Sequence, residues 1–185
     1  METKREIRKR ILSVRDALPT EKRVRSELLM TKKILEHQWY GGAKIILIFV
    51  KHGSEIDTNQ IIEDSFHQNK KVYIPKIIND TMVFIRVYQG ELLTEGYKGI
   101  LEPQEKDLSE VFCYENENPH EILMIMPGVA FDPYRNRIGY GKGFYDRYLS
   151  DKENLHTIAI GFDCQIVSMI ESDRNDIKPN QVICF

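Results

Sequence analysis

Two short and almost uninterrupted apolar runs constrain the fold of this chain more than any other feature of its sequence. They are KIILIFV at residues 44–50 and ILMIM at residues 122–126. A strand that faces solvent on one side alternates apolar and polar residues, whereas a strand covered on both sides is apolar almost throughout. The two runs therefore predict central strands of a mostly parallel sheet that has helices on both faces.

The segments around these runs alternate between helix and strand patterns. Apolar residues at helical spacing predict a helix over 3–18 and a second one that ends at Gly41-Gly42, while Asp57 with Gln60 predicts the capped start of a third. Further strands and one short helix follow, the strands at 72–75, 82–87, 157–160 and 182–185 and the helix at 144–149. The predicted fold is a single-domain three-layer α/β/α sandwich over residues 1–185 with a mostly parallel, Rossmann-like sheet.

One long segment fits neither pattern. Residues 88–120 contain scattered glycines and prolines, and an acid-rich tract extends from residue 102 to residue 121. We expect most of this segment to be an irregular excursion on the surface.

Length and composition exclude several classes of protein. A chain of 185 residues is long enough for one domain that buries about 70% of its unfolded surface. No apolar run approaches the roughly 18 residues that cross a bilayer, and the N-terminus lacks a signal-peptide core, so a cytoplasmic protein without a membrane partner is expected. The three cysteines form no C-x-x-C pair, and neither H-E-x-x-H nor G-x-S-x-G occurs, which disfavours zinc and serine hydrolases.

Charge is divided unevenly along the chain. Residues 1–33 hold eleven Lys and Arg against five Asp and Glu, a formal charge of +6, so the remainder carries −8 of the total of −2. A cationic segment of this kind is compatible with a nucleic-acid-binding module, but a long phosphate backbone would meet net repulsion over the rest of the surface. A nucleotide needs only a local cationic pocket.

The segment that carries the most chemistry is RIGYGKGFYD at residues 137–146. Its three glycines alternate with other residues directly before a predicted helix, whose N-terminus adds a partial positive charge, so backbone N–H groups can converge without a Cβ in the way. Arg137 can grip a phosphate bidentately, and Lys142 can reach phosphate oxygens as a mobile charge. Asp146 could hold Mg²⁺. The segment predicts a phosphate-binding loop.

A plain turn is the alternative for this segment. Its spacing matches neither G-x-x-x-x-G-K-[ST] nor G-x-G-x-x-G, and from the glycines alone a tight mobile turn between strand and helix explains it equally well. The clustered Arg137, Lys142 and Asp146 favour the phosphate site, because a plain turn has no need for two cations that repel each other.

Together with the preceding PGVAFD at residues 127–132, the segment RIGYGKGFYDRYL at 137–149 closely resembles the signature of the 5-formyltetrahydrofolate cyclo-ligases, also called methenyltetrahydrofolate synthetases. Other segments resemble further landmarks of that family in the same order, at 4–8, 49–58, 74–76, 99–103 and 175–176. The resemblance covers nearly the full chain and is weakest at 169–175.

The resemblance implies a reaction, its cofactor and its partners. The reaction is the ATP- and Mg²⁺-dependent closure of 5-formyltetrahydrofolate, with or without a polyglutamate tail, to 5,10-methenyltetrahydrofolate, with release of ADP and phosphate. We expect no nucleic-acid partner, and a monomer or a weak dimer. A nucleotide-binding regulator without catalysis is the alternative, because binding and turnover share residues.

The resemblance also implies a set of site residues. Those with catalytic roles would be Lys142, Arg137 and Glu55. The ATP site would comprise Lys4, Arg5, Glu6, Ile7, Arg8, Arg137, Ile138, Gly139, Tyr140, Gly141, Lys142, Gly143, Phe144 and Tyr145. The folate site would comprise Val50, Glu55, Tyr140, Gly141, Lys142, Gly143 and Phe144. The Mg²⁺ ligands would be Asp146 and Asp176.

Several of these residues have simpler explanations. Without the resemblance, Lys4 and Arg8 are better explained as a solvated basic face of the first helix. Glu55 follows the end of a predicted central strand, where open α/β sheets bind ligands, but it could equally be an ordinary loop carboxylate. Core packing explains Phe144 as well as stacking on a substrate ring does.

Overall fold

A mixed β-sheet of six strands lies at the centre of the computed structural model, which describes residues 2–104 and 108–185. Residues 105–107 of the acid-rich tract lie outside the described residues. The strands of the described residues are β1 (Ile45–Ile48), β2 (Lys71–Ile78), β3 (Thr81–Val87), β4 (Thr94–Glu95), β5 (Leu101–Glu102), β6 (Ile122–Met126), β7 (Ala130–Phe131), β8 (Arg137–Ile138), β9 (His156–Gly161) and β10 (Gln181–Cys184). Of these, β4 pairs with β5 and β7 with β8 in two separate two-stranded sheets.

The helices surround this sheet. They are α1 (Lys4–Asp16), α2 (Thr20–Leu35), α3 (Gln38–Gly42), α4 (Asn59–His67) and α5 (Phe144–Leu149). Single 3₁₀ turns lie at Tyr97–Gly99, Leu108–Glu110, Tyr114–Asn116, Pro119–Glu121 and Asp163–Gln165. Among residues 2–104 and 108–185, no helix is both long and apolar enough to span a membrane.

The order of the strands determines where a ligand can bind. The central sheet has the order β10-β9-β6-β1-β2-β3, in which β3 alone pairs antiparallel. Counted along the chain, its strands follow the doubly wound order 3-2-1-4-5-6, with the change of direction between β1 and β6. The mostly parallel, Rossmann-like sheet is confirmed, and the crevice at the carboxyl ends of β1 and β6 is the expected ligand site.

The side chains of the apolar runs pack into core clusters on both faces of the sheet. Ile46 and Ile48 belong to a core cluster with residues of α2 and α4, whereas Ile45 and Leu47 belong to a second cluster with Leu149 of α5. This division follows because consecutive side chains of a strand point to opposite faces. A third cluster joins α1 to β7 and β8, so α1 lies beside the carboxyl-end crevice. The three-layer α/β/α arrangement is confirmed.

The predicted end of the second helix was wrong. α2 ends at Leu35, and both Gly41 and Gly42 lie inside α3. The new helix begins because the ring of His37 accepts a hydrogen bond from the backbone N–H of Trp39 at 3.1 Å. A Cβ at either glycine would meet nothing within 4 Å, so neither glycine is required to end a helix.

The next helix is present as predicted, but its N-cap and capping contacts differ from the prediction. α4 begins at Asn59 with Thr58 as its N-cap, so Asp57 and Gln60 form no capping box. The carboxylate of Asp57 accepts from the N–H of Asn59 at 2.8 Å, while the hydroxyl of the fully buried Thr58 donates to the carbonyl of Phe49 at 2.7 Å. The Thr58 hydroxyl therefore ties α4 to the end of β1 instead of capping α4.

The second strand is longer than predicted. β2 continues to Ile78 and pairs with β3 through a two-residue turn at Asn79 and Asp80, whose φ angles are 47° and 58°. Asn and Asp tolerate this left-handed conformation better than most residues, which suits a tight hairpin. The described part of 88–121 contains only short elements, as expected.

Gly128, which directly follows β6 and Pro127, supplies a test of packing beside the crevice. A Cβ there would lie 2.5 Å from the ring of the fully buried Phe131 and 3.2 Å from the Cγ of Arg137. We expect Gly128→Ala to lower the free energy of unfolding by about 1–3 kcal/mol, as overpacked cores do. The measurement is denaturant unfolding.

The matched control is Gly41→Ala, because an added methyl group meets nothing there. It should leave the stability equal or slightly higher, since alanine has the better helix propensity. Equal stability of the two variants would contradict the close packing at Gly128.

Candidate active site

A cavity of about 490 Å³ opens at the carboxyl ends of the central strands. Phe49 and Val50, which follow β1, and Pro127 and Gly128, which follow β6, all line it. The cavity therefore occupies the point at which the strand order changes direction, where doubly wound sheets bind ligands.

The glycine-rich loop forms one side of this cavity. Residues 139–143 connect β8 to α5 and line the cavity, and Gly141 and Gly143 have φ angles of 95° and 63° that side chains rarely tolerate. The Nε of Arg8 donates to the carbonyl of Gly139 at 2.8 Å, which holds α1 against the loop. α5 has only six residues, so its dipole adds less positive charge than the sequence suggested, and the side-chain cations matter more.

The two cations of the loop segment differ in freedom. The side chain of Arg137 is 5% exposed; its Nη2 pairs with Oδ1 of Asp146 at 3.0 Å, and its guanidinium lies 5.5 Å from the ring centre of Tyr145. Lys142 is exposed, and its ammonium has no ion-pair partner among the described residues. Arg137 is thus fixed in place, while Lys142 can move to meet a ligand.

The two predicted metal ligands lie side by side. The backbone N–H of Ile177 donates to Oδ1 of Asp146 at 3.2 Å, which places Asp176 next to Asp146 at the cavity. The ammonium of Lys4 lies 2.6 Å from Oδ2 of Asp176 and 2.6 Å from Oδ2 of Asp173. Each predicted ligand keeps a second carboxylate oxygen without a partner among the described residues. Those residues contain no cluster of three or more His, Cys, Asp or Glu able to hold a metal.

Glu55 lies deep in the same cavity. Its side chain is 5% exposed, its Oε1 accepts from the hydroxyl of Tyr140 at 2.8 Å, and its Oε2 accepts from the N–H of His52 at 2.9 Å. Burial raises the pKa of Glu55 above the usual range, because the ionised form loses its hydration. Glu55 is therefore not an ordinary solvated loop carboxylate.

Apolar side chains form the wall opposite the loop. Pro75 and Ile77 come from β2, Met82 from β3, and Tyr97 and Ile100 from the segment between β4 and β5. The ring of Tyr97 meets that of Phe144 edge to face at 5.7 Å, so Phe144 lines the cavity and also packs against the core. Such a wall suits a flat, largely apolar ligand with a few polar atoms.

The lining of the cavity does not include three of the residues implied for ATP. Ile7 is buried in the core cluster between α1 and β8, Glu6 forms the capping box of α1 with Thr3, and Arg5 is exposed. Only Lys4 and Arg8 of this segment line the cavity, because residues one turn apart share one face of a helix. The structure therefore does not bring Arg5, Glu6 and Ile7 to the site.

A model of the 5-formyltetrahydrofolate cyclo-ligase family matches residues 1–184. The chain belongs to this family. The cyclo-ligase family comprises ligases of folate one-carbon metabolism. Membership therefore favours an enzyme, and it disfavours both a regulator without catalysis and a nucleic-acid-binding module. The resemblance that the glycine-rich segment suggested is confirmed.

Named relatives agree with the family assignment. A Mus musculus protein named 5-formyltetrahydrofolate cyclo-ligase is 34% identical over 177 residues, which cover 90% of this chain and 86% of the relative. An Escherichia coli K12 protein of the same name is 32% identical over 147 residues, 76% of this chain and 78% of the relative.

A solved structure agrees as well. The structure of the Aquifex aeolicus 5,10-methenyltetrahydrofolate synthetase superposes with a TM-score of 0.81 at 26% identity and covers 97% of this chain and 88% of that one. The cyclo-ligase fold therefore extends over almost the whole chain.

Sequence patterns missed several residues that shape this cyclo-ligase site. Glu102 is 4% exposed, lines the cavity, and accepts from the N–H groups of Ile77 and Tyr97 at 3.4 and 3.3 Å. Asp173 pairs with Lys4, and Arg15 is buried behind Tyr140. Glu102 and Asp173 lie in acid-rich segments and Arg15 in a basic helix, where neighbours of like charge suggest only a solvated surface.

Proposed function

We propose that this protein converts 5-formyltetrahydrofolate to 5,10-methenyltetrahydrofolate with consumption of ATP in the presence of Mg²⁺ and release of ADP and phosphate. The observation that carries the proposal is the composition of one cavity. A glycine-rich loop with the cations Arg8 and Lys142 shares it with a buried carboxylate, Glu55, and an apolar wall. The activity in the names of the relatives supports the same reaction.

The chemistry explains why a nucleotide and a folate must share one cavity. The formyl carbon on N5 is a poor electrophile, because the nitrogen lone pair delocalises into it, and N10 cannot displace an oxide. Transfer of the γ-phosphoryl group of ATP to the formyl oxygen solves both problems. N10 then attacks the activated carbon and loses its proton, and phosphate departs with the former formyl oxygen. The protein mainly positions the reactants and neutralises phosphoryl charge.

The cations beside the loop are assigned to ATP. The backbone N–H groups of 139–143 would surround the phosphates, with Lys142 as the mobile charge on the transferred group. Arg8 and Lys4 would approach from α1, and the rigidly held Arg137 would orient one phosphate. Lys4 would exchange Asp173, one of its two aspartate partners, for a phosphate oxygen.

The pair Asp146 and Asp176 fits a magnesium ion. Mg²⁺ commonly binds one or two carboxylates, with phosphate oxygens and water completing an octahedron of about six ligands. Both side chains line the cavity and each keeps an oxygen without a partner among the described residues. The bound ion would neutralise charge on the triphosphate. Arg137 and Lys4 hold the two carboxylates in position for this role.

The apolar wall and Glu55 are assigned to the folate. The ionised Glu55 can accept hydrogen bonds from the amino and ring N–H groups of the pterin. Val50 borders the same space, and the half-exposed ring of Tyr140 with Phe144 can pack against the pterin or the aminobenzoyl ring. The cytoplasmic location, the oligomeric state and the use of polyglutamate tails stay predictions.

An isotope experiment tests the proposed mechanism. The formyl oxygen of 5-formyltetrahydrofolate is labelled with oxygen-18, and the inorganic phosphate is analysed by mass spectrometry after turnover with ATP and Mg²⁺. We expect one labelled oxygen in each phosphate formed, because the formyl oxygen leaves on phosphorus. Label in water, with unlabelled phosphate, would contradict phosphorylation of the formyl group.

A further inference from the structure

Arg15, near the end of α1, is a buried cation that none of the roles above uses. It is 2% exposed, and no carboxylate among the described residues lies within ion-pair distance of it. Burying a cation without an ion-pair partner costs free energy, so its contacts need an explanation. Arg15 follows Arg8 by about two helical turns, and it lies behind Tyr140, which lines the cavity.

The guanidinium of Arg15 makes two hydrogen bonds. Its Nε donates to Oγ of Ser54 at 2.9 Å, and its Nη2 donates to the hydroxyl of Tyr140 at 2.8 Å. Its Nη1 is buried without a partner. Both accepting groups lie beside Glu55, since Ser54 precedes it in the chain and the Tyr140 hydroxyl contacts its carboxylate.

These contacts give the hydrogen bonds a fixed direction. A guanidinium can only donate, so the Tyr140 hydroxyl accepts from Arg15 and must use its single proton toward Oε1 of Glu55. The N–H of His52 holds the other oxygen. A carboxylate has about four acceptor positions, so Glu55 is held in one orientation while positions stay free for a ligand.

We propose that Arg15 is a positioning residue for the folate, which acts through Tyr140 to fix the orientation and the charge of the Glu55 carboxylate. The proposal rests on the proposed role of Glu55 in folate binding. A purely structural role, in which Arg15 only packs α1 against the loop at 51–57, is the alternative that the test must separate.

The pKa of Glu55 distinguishes the two roles of Arg15, because it depends on the Arg15 charge and not on the packing of α1 against the loop at 51–57. The titratable or charged groups that face Glu55 are Arg15 on α1, Tyr140 and Tyr145 from the loop and α5, and His52 on its own loop. Burial raises the pKa of Glu55, while the Arg15 cation acts to lower it. Removal of this cation therefore raises the pKa of Glu55 further, and a higher pH is needed to ionise it.

The test compares Arg15→Met with Arg23→Met. Arg23 of α2 is a matched control, because it contacts the carbonyls of Ser54 and Arg15 at 2.7 and 2.9 Å but does not contact Tyr140. For Arg15→Met we expect the KM for 5-formyltetrahydrofolate to rise by about tenfold and the KM for ATP to stay within about twofold. The acid limb of kcat/KM for folate should move to higher pH, and Arg23→Met should change neither quantity.

Arg15→Lys keeps the charge, and it replaces Arg15→Met in the test if that variant does not fold. Its acid limb should match that of the parent protein, while its KM for folate rises by about threefold, because one ammonium cannot contact Ser54 and Tyr140 in the same way. Unchanged folate KM and pH profile, or equal changes in Arg15 and Arg23 variants, would overturn the proposal. Failure of the proposed function is distinguishable, because then Glu55→Gln itself would leave the folate KM unchanged.

Discussion

Replacement of Lys142 by alanine should lower kcat by about a thousandfold, because one positive charge placed on the transferred phosphoryl group contributes on the order of 4 kcal/mol to transition-state stabilisation. Lys142 is exposed on the glycine-rich loop, and its ammonium has no ion-pair partner among the described residues. Its removal therefore breaks no ion pair or side-chain hydrogen bond among the described residues. The thermal unfolding midpoint should stay within about 1 °C of the parent value.

The measurement is the initial rate of product formation, with circular dichroism melting as the check on folding. Lys44→Ala is the matched control, since Lys44 is 72% exposed, pairs with Glu121 and does not line the cavity. Lys142→Arg should recover part of the activity, because it restores charge with a different geometry. Kinetics of Lys142→Ala equal to those of Lys44→Ala would show that the loop does not hold the transferred phosphoryl group.

Replacement of Glu55 by glutamine should lower kcat/KM for 5-formyltetrahydrofolate by about a hundredfold, with the KM for ATP within about twofold of the parent value. The amide keeps the size of the carboxylate but loses the charge and half of the acceptor positions that the pterin N–H groups would use. Initial rates at varied folate and varied ATP separate the two effects. Loss of ATP binding instead would reverse the assignment of the two parts of the cavity.

The Glu55→Gln variant should be as stable as the parent protein or slightly more stable, although its activity is lower. The pKa of Glu55 is raised on folding, so its ionisation disfavours the folded state as the pH rises above the unfolded pKa of about 4.5. Glutamine removes that cost and also loses an acceptor for Tyr140 or His52. We therefore expect the thermal unfolding midpoint of Glu55→Gln at pH 7 to equal or slightly exceed that of the parent protein. Glu63→Gln, at an exposed glutamate, is the control. A large loss of stability would mean that Glu55 has a structural role.

The sequence predicted the parts of the fold that depend on local pattern. The apolar runs at 44–50 and 122–126 contain the two central strands, at 45–48 and 122–126, and 144–149 became α5 with the predicted bounds. One boundary error involves a contact with another element of the fold. The hydroxyl of Thr58, the N-cap of α4, contacts the carbonyl of Phe49 at the end of β1, and no local pattern predicts this contact.

The sequence also predicted part of the candidate site. Spacing along the chain brings together Arg137, Lys142 and the glycines, and the topology brings Glu55 and Asp176 to the same cavity. Of the segment 4–8 that the resemblance implies, only Lys4 and Arg8 line the cavity, and Ile7 is a core residue. Arg15 and Glu102 were missed because burial of a charged side chain depends on residues far away in the chain.

The central claim is most directly tested by mixing the purified protein with 5-formyltetrahydrofolate, ATP and Mg²⁺ and following the near-ultraviolet absorbance of the methenyl product. We expect product only when ATP and the metal are both present, with one ADP and one phosphate formed for each methenyl group, and no product after chelation of the metal. Absence of any ATP-dependent product from the folded protein would contradict the proposed function.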